Sequence, residues 1–227
     1  MDEMIIMSLG GSIIVPDDVD AEFLKKFRKL ILDHVKSGKR FTIICGGGST
    51  TRKYQKGARE VFILNDEDLD WIGIHATRLN AHLMRTVLRD IAHPRIIKDP
   101  TRPIICEEKV IIAAGWKPGF STDYDAVLLA KGYRAKTVIN LSNIEQVCDK
   151  DPKHHKDAKP IERIGWKGFR KIVGDKWVPG ANLPFDPIAS KEAQALGLRV
   201  LIMKGTDTEN LDSALNGKKF KGPVVEG

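Results

Sequence analysis

The stretch Phe41-Thr-Ile-Ile-Cys-Gly-Gly-Gly-Ser-Thr-Thr-Arg-Lys-Tyr54 decides the fold that we predict for this chain of 227 residues. Its apolar start predicts a buried strand, its three glycines a tight turn, and the residues from Ser49 onward a helix. Ser49 or Thr50 can cap this helix, because a hydroxyl oxygen accepts a hydrogen bond from a free amide there. Such amides favour an anion, and the guanidinium group of Arg52 suits phosphate oxygens. On these residues alone, a phosphate site and an ordinary strand-to-helix turn are equally open.

The same pattern of strand, glycine and hydroxyl occurs twice more. It appears in Met4-Ile-Ile-Met-Ser-Leu-Gly-Gly-Ser12 and in Val110-Ile-Ile-Ala-Ala-Gly-Trp-Lys-Pro-Gly-Phe-Ser-Thr-Asp123. Glycine loops at the carboxyl ends of parallel strands meet in one crevice, where α/β proteins bind their ligands. Strands and helices alternate along the chain, which predicts a three-layer α/β/α sandwich with a mostly parallel central sheet. We see no linker that would divide residues 1–227 into separate domains, and several phosphate loops indicate more than one phosphorylated ligand.

Composition and charge narrow the functional class. The net charge of +7 favours phosphate-rich ligands, and because lysine and arginine form no dense basic run, we expect nucleotides rather than nucleic acid. No apolar run reaches about 18 residues, so we expect no membrane span, and the acidic start of the chain does not resemble a signal peptide. Cys45, Cys106 and Cys148 lack metal-ligand spacing. We therefore expect reduced cysteines in a cytoplasmic protein and no metal held by the protein itself.

The segment Asp70-Trp-Ile-Gly-Ile-His-Ala-Thr-Arg-Leu-Asn80 lies near the start of a helix that we predict from about Leu69 to Ala92. Small and polar residues fall on one face of this helix at helical spacing: Asp70, Gly73, Thr77 and Asn80. They lie beside an apolar stripe that includes Leu79. This face leaves room for a ligand and offers a carboxylate at the helix start. The alternative is that Asp70 only caps a solvated helix.

Together these motifs resemble the amino acid kinase superfamily and, within it, the archaeal-type uridylate (UMP) kinases. The motifs follow one another over nearly the whole chain: Leu9-Gly-Gly-Ser12, Gly46-Gly-Gly48 with Arg52, the Asp70 segment, Gly115 to Asp123, Leu141-Ser-Asn143 with Asp151-Pro152, and Phe185-Asp-Pro-Ile-Ala189. The resemblance implies transfer of the γ-phosphoryl group of ATP to UMP, with Mg²⁺ bound to the triphosphate. It also implies a homohexamer built as a trimer of dimers, with an acceptor half at about 1–135 and an ATP half at about 136–227.

The resemblance also implies roles for individual residues. The catalytic residues would be Gly10, Arg52 and Asp186. The UMP site would comprise Gly47, Asp70, Gly73, Thr77, Trp116, Lys117, Pro118, Gly119, Phe120, Ser121 and Thr122. The ATP site would comprise Leu9, Gly10, Gly11, Ser12, Gly48, Arg52, Ser142, Asn143, Cys148 and Asp151. Such a set suits phosphoryl transfer, which needs positioning and charge neutralisation more than covalent chemistry.

Three departures from the family pattern keep alternatives open. Ser8 stands where many members have lysine, and Trp116 replaces a smaller residue of the acceptor loop. The triphosphate loop Asn143-Ile-Glu-Gln-Val-Cys148 lacks the usual glycine and aromatic residue. One alternative is therefore a nucleotide- or oxyanion-binding or storage protein without turnover. Another is a kinase of a carboxylate, a carbamate or an isoprenoid phosphate, although the face that carries Asp70 suits a ribose better.

Overall fold

The computed structural model describes residues 4–144, 146–150, 157–176 and 183–227. The strands in these ranges are β1 (Met4–Leu9), β2 (Arg40–Cys45), β3 (Val110–Ala113), β4 (Thr137–Ser142), β5 (Arg163–Ile164), β6 (Arg199–Lys204) and β7 (Val224–Val225). They form one sheet in the order β3-β2-β1-β4-β6-β7-β5. The pairs β1–β2, β1–β4, β2–β3 and β4–β6 are parallel, and β6–β7 is antiparallel. The predicted mostly parallel sheet is confirmed.

Helices cover both faces of this sheet. They are α1 (Gly11–Ile14), α2 (Ala21–Lys36), α3 (Gly48–Val61), α4 (Asp66–Val87), α5 (Thr122–Tyr133), α6 (Trp166–Val173), α7 (Pro187–Ala195) and α8 (Thr208–Leu215). One apolar core contains Phe27 of α2 and Met84 of α4, and a second contains Leu129 of α5 and Phe169 of α6. Strand β1 contributes alternate residues to the two cores, as the two-residue repeat of a strand requires. The three-layer sandwich is thus confirmed.

The order of the strands places a crevice at the carboxyl end of β1. The chain passes from β1 to β2 on one side, whereas β4 lies on the other side. Loops that leave neighbouring parallel strands in opposite directions open a gap between them, and such a gap is where ligands bind in open α/β sheets. No helix in the described part of the chain is long and apolar enough to cross a membrane.

The structure corrects two local predictions for α3 and α4. Helix α3 begins at Gly48 with Gly47 as N-cap and no capping side chain, because the Ser49 hydroxyl donates instead to the carbonyl of Val15 at 2.6 Å. Helix α4 begins at Asp66, where Asn65 accepts from the Asp68 amide at 2.7 Å. Asp70 therefore lies one turn inside the helix rather than at its start.

The apolar stripe predicted for α4 is also wrong at Leu79, whose side chain is 61% exposed. The buried face of α4 combines apolar residues such as Ile74 and Met84 with small and polar ones, among them Ala76, Thr77 and Asn80. Helical spacing identified a face with this composition, but it could not show which face the neighbouring elements cover.

Candidate active site

The glycine loops after β1 and β2 pack directly against each other. The Gly10 amide donates to the carbonyl of Leu141 at 2.8 Å, and the Gly46 amide donates to that of Leu9 at 2.8 Å. A side chain on Gly11 would place its Cβ 2.4 Å from the Gly46 oxygen. Gly48 has a φ of 61°, and its Cβ would lie 2.2 Å from the Gly11 carbonyl carbon. Glycine is required at both positions, since only glycine allows this backbone approach.

The start of α3 presents positive charge next to these loops. Because no side chain caps the helix at Gly47, its first amides are available to an anion. Arg52 is exposed, and its Nη2 donates to the Ser12 hydroxyl at 3.2 Å. The structure thus brings together seven of the predicted site residues: Leu9, Gly10, Gly11, Ser12, Gly47, Gly48 and Arg52.

A partly buried carboxylate network lies beside these loops, centred on Asp123 of α5. Its Oδ1 accepts from the Ser8 hydroxyl at 2.8 Å and from Asn140 Nδ2 at 2.9 Å. Its Oδ2 accepts from the Asp186 amide at 3.2 Å. Asp186 is itself 7% exposed and is the N-cap of α7, accepting from the Ala189 amide at 2.7 Å. Two acidic side chains therefore meet where β1, β4, α5 and α7 converge.

This environment shifts both carboxyl groups towards protonation. Burial, followed by the negative charge of Asp186, raises the pKa of Asp123 to about 6, while the hydrogen bonds from Ser8, the Asp186 amide and Asn140 act in the opposite direction. Burial also raises the pKa of Asp186, against the hydrogen bond from the Ala189 amide. A cation at this position would relieve the repulsion between the two groups.

The inward face of α4 holds the third loop and the second glycine turn in place. The Gly119 amide donates to Asp70 Oδ2 at 2.7 Å, and the Gly115 amide donates to the Thr77 hydroxyl at 2.8 Å. Asn80 is 2% exposed, and its Nδ2 donates to the carbonyls of Gly46 and Gly47 at 2.8 and 3.2 Å. One helix face therefore fixes two loops at once.

Gly73 of the same helix has a different environment. A Cβ on this glycine would lie 3.5 Å from Thr51 Cγ2, and the Gly73 carbonyl lies close to Gly47. The 3.5 Å separation is an ordinary van der Waals distance, so this contact would also admit a small side chain. The structure thus places Gly73 at a helix contact beside the second glycine turn.

Aromatic and cationic groups line the third loop. The ring centroids of Trp116 and Phe120 are 5.2 Å apart, and Lys117 Nζ lies 4.1 Å from the Trp116 ring centroid. The Trp116 amide donates to Asp125 Oδ2 at 3.1 Å, and Arg78 Nη2 donates to the Trp116 carbonyl at 3.1 Å. The loop residues predicted for the acceptor site therefore cluster: Trp116, Lys117, Pro118, Gly119, Phe120, Ser121 and Thr122. Ser121 caps α5 by accepting from the Tyr124 amide at 3.2 Å, and Thr122 is its first residue.

The ATP-side residues are less closely grouped. The Ser142 carbonyl accepts from the Gly205 amide at 2.9 Å, and its α-carbon would lie 3.7 Å from a Cβ on Gly10. Asn143 is exposed, and Cys148 forms an antiparallel bridge with Pro160. Asp151 lies outside the described residues. The structure therefore links Ser142 to the first glycine loop and leaves the role of the other three as predictions.

The structure brings three further residues into the site that were not among the predicted site residues: Asp123, Asn140 and Arg78. Asp123 stands directly after the hydroxyl pair Ser121-Thr122, and its carboxylate was visible as the end of the third motif. Asn140 is a polar residue inside the apolar strand β4, where it is 4% exposed. A polar residue in a strand of this kind is a signal, since buried amides need partners. We find no comparable signal for Arg78.

Comparisons with known proteins agree with this geometry. The model of the Amino acid kinase family matches residues 3–204. A curated uridylate kinase of Thermococcus sibiricus is 32% identical over 225 residues, covering 98% of this chain and 99% of that protein. The uridylate kinase of Thermoplasma volcanium is 34% identical over 221 residues, covering 96% and 95%.

Solved structures show the same fold. The crystal structure of uridylate kinase from Archaeoglobus fulgidus has a TM-score of 0.81 and 30% identity, covering 97% of this chain and 99% of that one. The UMP kinase of Bacillus anthracis has a TM-score of 0.80 at 18% identity, covering 99% and 96%. The second similarity concerns the fold alone.

Proposed function

The chain belongs to the amino acid kinase family, and we propose that it transfers the γ-phosphoryl group of ATP to UMP, giving ADP and UDP. The observation that carries this proposal is the similarity over 98% of the chain to curated proteins named uridylate kinase. The geometry at the carboxyl end of β1 supports it, because it supplies the groups that phosphoryl transfer needs.

The transferred phosphoryl group would lie between the two glycine loops and Arg52. The amides of Gly10, Gly11 and Gly48 and the start of α3 offer hydrogen-bond donors that are fixed before the ligand arrives. Fixed donors stabilise charge that develops in the transition state without reorganising. Arg52 adds a charged fork for two phosphate oxygens. We assign Gly10 and Arg52 to catalysis on this basis.

The acceptor nucleotide would lie along α4 and the third loop. Asp70 has one carboxylate oxygen on the Gly119 amide, which leaves the other oxygen for a ribose hydroxyl. The flat rings of Trp116 and Phe120 offer apolar surface to a base, and Lys117 brings a cation close to it. Thr77 and Ser121 hold the loop in this position through their hydrogen bonds.

The acidic groups at the site fit a magnesium-bound triphosphate. Asp123 and Asp186 lie close enough that the charge of one raises the pKa of the other, so a nearby cation is favourable. We propose that Mg²⁺ is held mainly by phosphate and water oxygens, with Asp186 and Asp123 nearby, and that it neutralises the triphosphate charge. The base and ribose of ATP would lie near Ser142, Asn143, Cys148 and Asp151, which makes residues 136–227 the ATP half and residues 1–135 the acceptor half.

A coupled assay of ADP formation tests the function. Saturating ATP and Mg²⁺ are combined in turn with UMP, CMP, AMP and N-acetylglutamate, and we expect UMP to give the highest kcat/KM. The test variant Arg52→Lys should lower kcat. The control variant Lys53→Ala, at the next position, should leave kcat unchanged. Lys53 is the next residue of α3, but its Nζ donates to the Asp17 carbonyl at 2.6 Å. Calorimetric binding of both ATP and UMP without ADP formation would instead support the binding or storage protein.

We further propose that the chain forms a homo-oligomer in the cytoplasm, a hexamer built as a trimer of dimers. Exposed apolar side chains at the end of α3 and on α4 favour self-association: Val61 is 85% exposed, Phe62 74%, Ile63 91% and Leu79 61%. Light scattering after size exclusion measures the assembly. Leu79→Asp should shift it to smaller species, whereas Ile105→Asp, at another exposed apolar residue, should not. A monomeric wild-type protein would refute the proposal.

A further inference from the structure

Three metal-ligating side chains lie together at the outer edge of the sheet, where β3 begins. His93, Cys106 and Glu108, here called the edge cluster, each offer one ligand atom, and these atoms all lie within 4.8 Å of one another. They are separate from the glycine loops, which lie at the carboxyl ends of the strands. We propose that the edge cluster binds a divalent transition-metal ion, with Zn²⁺ as the best match, and that this ion ties the segment after α4 to the segment before β3.

The chemistry of the three ligands suits zinc. Imidazole nitrogen, thiolate sulfur and carboxylate oxygen are the ligands that zinc uses in proteins, whereas Mg²⁺ and Ca²⁺ prefer oxygen alone. A thiolate and a carboxylate together balance the charge of a divalent ion. Tetrahedral bonds to zinc would place the ligand atoms roughly 3.4–3.7 Å apart, so the cluster closes with about 1 Å of side-chain movement. All three residues are partly exposed, which allows this movement and leaves a fourth position for water.

The backbone around the edge cluster is already fixed without an ion. Arg40 Nη2 donates to the carbonyls of Cys106 and Glu108 at 2.7 and 3.3 Å. The His93 amide donates to the Val110 carbonyl of β3 at 2.9 Å. The three ligands are therefore held at the same end of β3 by hydrogen bonds that involve none of their side chains. Because these segments are already ordered, the chain loses less conformational entropy when an ion binds.

The surroundings of His93 suit an imidazole that binds metal. Its Nδ1 accepts a hydrogen bond from the Arg95 amide at 3.1 Å and lies 3.2 Å from the carbonyl oxygen of the same residue. A ligating histidine commonly donates its second ring N–H to a backbone carbonyl, which fixes the tautomer. Without an ion, the Arg95 amide favours the tautomer with the proton on Nε2. An ion bound at Nε2 would move this proton to Nδ1, from which it would donate to the Arg95 carbonyl.

The thiol of Cys106 must lose its proton when the ion binds. Burial and the neighbouring Glu108 raise the pKa of Cys106, whereas the charge of Arg40 opposes this rise. The other titratable groups that interact with this thiol or its partners are Tyr133 and His93. The thiol proton is therefore released to solvent when the ion binds.

Cobalt spectroscopy on the full chain tests the thiolate ligand directly. The nucleotide-free protein is stripped with a chelator, dialysed and titrated with Co²⁺, which reports a thiolate ligand by near-ultraviolet charge-transfer absorption. We expect saturation at one ion per chain and loss of the band on addition of Zn²⁺. Cys106→Ser should abolish the band, whereas the matched variant Cys148→Ser should keep it. If the wild-type protein shows no such band, the proposal is wrong.

Calorimetry and thermal unfolding test the other two ligands. His93→Gln and Glu108→Gln should each weaken Zn²⁺ binding by about 100-fold or more, since even indirect partners of a metal contribute about 10- to 100-fold. The control His82→Gln changes an exposed histidine that lines the same surface cleft as His93. This variant should leave Zn²⁺ binding unchanged. Zinc at about 100 times its Kd should raise the Tm by about 5–10 °C. Equal zinc affinity in the wild type and all three ligand variants would overturn the proposal, as would an unchanged Tm.

Discussion

Replacing Ser8 by alanine should lower the free energy of unfolding mainly at pH values where Asp123 is ionised. Ser8 is 4% exposed, and its hydroxyl donates to Asp123 Oδ1 at 2.8 Å. A hydrogen bond to a charged group contributes about 1.5–3 kcal/mol, and one to a neutral group about 0.5–1.5 kcal/mol. The free energy of unfolding should therefore fall by about 1.5–3 kcal/mol at pH 8 and by about 0.5–1.5 kcal/mol at pH 5.

The sign of this pH dependence follows from the raised pKa of Asp123. Burial raises the pKa of this carboxyl to about 6 in the folded protein, against 3.8 for an unperturbed aspartate side chain. The folded state then binds more protons between these two pH values, so its stability falls as the pH rises from about 4 to about 6 and stays lower above it. Removing the Ser8 donor raises this pKa further. The loss for the ionised carboxyl exceeds the loss for the neutral one by about 1–1.5 kcal/mol. At about 1.36 kcal/mol per pH unit, the upper end of this pH-dependent region moves up by about 1 pH unit, and its lower end moves little.

Urea unfolding from pH 5 to pH 8 measures this effect, and ADP formation over the same range gives a second readout. The conservative variant Ser8→Thr keeps a hydroxyl group and should restore most of the stability at pH 8. If Ser8→Ala loses the same free energy at pH 5 and pH 8, the hydroxyl does not stabilise the ionised carboxylate, and the reasoning from the partly buried network fails.

Four further predictions address the loops and the ligands. Asp70→Asn should raise the KM for UMP by about 10- to 150-fold, the equivalent of a hydrogen bond to a charged group, with little change for ATP; unchanged UMP kinetics would remove Asp70 from the site. Asn80→Ala should lower the free energy of unfolding by about 1–3 kcal/mol in urea, because the carbonyls of Gly46 and Gly47 lose their buried donor; a loss well below 1 kcal/mol would mean that water replaces the amide. Chelation of Mg²⁺ should abolish ADP formation, and a kcat that survives chelation would refute the magnesium role. Ser8→Lys should keep or raise kcat, because it adds a cation beside Asp123.

Much of the fold follows from local sequence. The apolar run Phe41 to Cys45 and the glycines behind it predicted β2 and the turn before α3, because strand and turn preferences act over a few neighbouring residues. Strand β2 begins at Arg40 and ends at Cys45, which agrees with the predicted strand to within one residue. The match of the family model to residues 3–204 confirms the family that the ordered motifs indicated.

Long-range contacts decided what the sequence could not show. Ser8 and Asp123 are 115 positions apart and meet only because β1 and α5 pack at the same crevice. The side of α4 that is buried depends on α3 and the third loop, so helical spacing alone placed Leu79 on the wrong side. The edge cluster likewise has no spacing that marks it in the sequence, since the segments that carry its ligands are brought together by hydrogen bonds to β2 and β3. Local preferences fix the elements, whereas burial and the pairing of buried polar groups depend on which distant elements pack together.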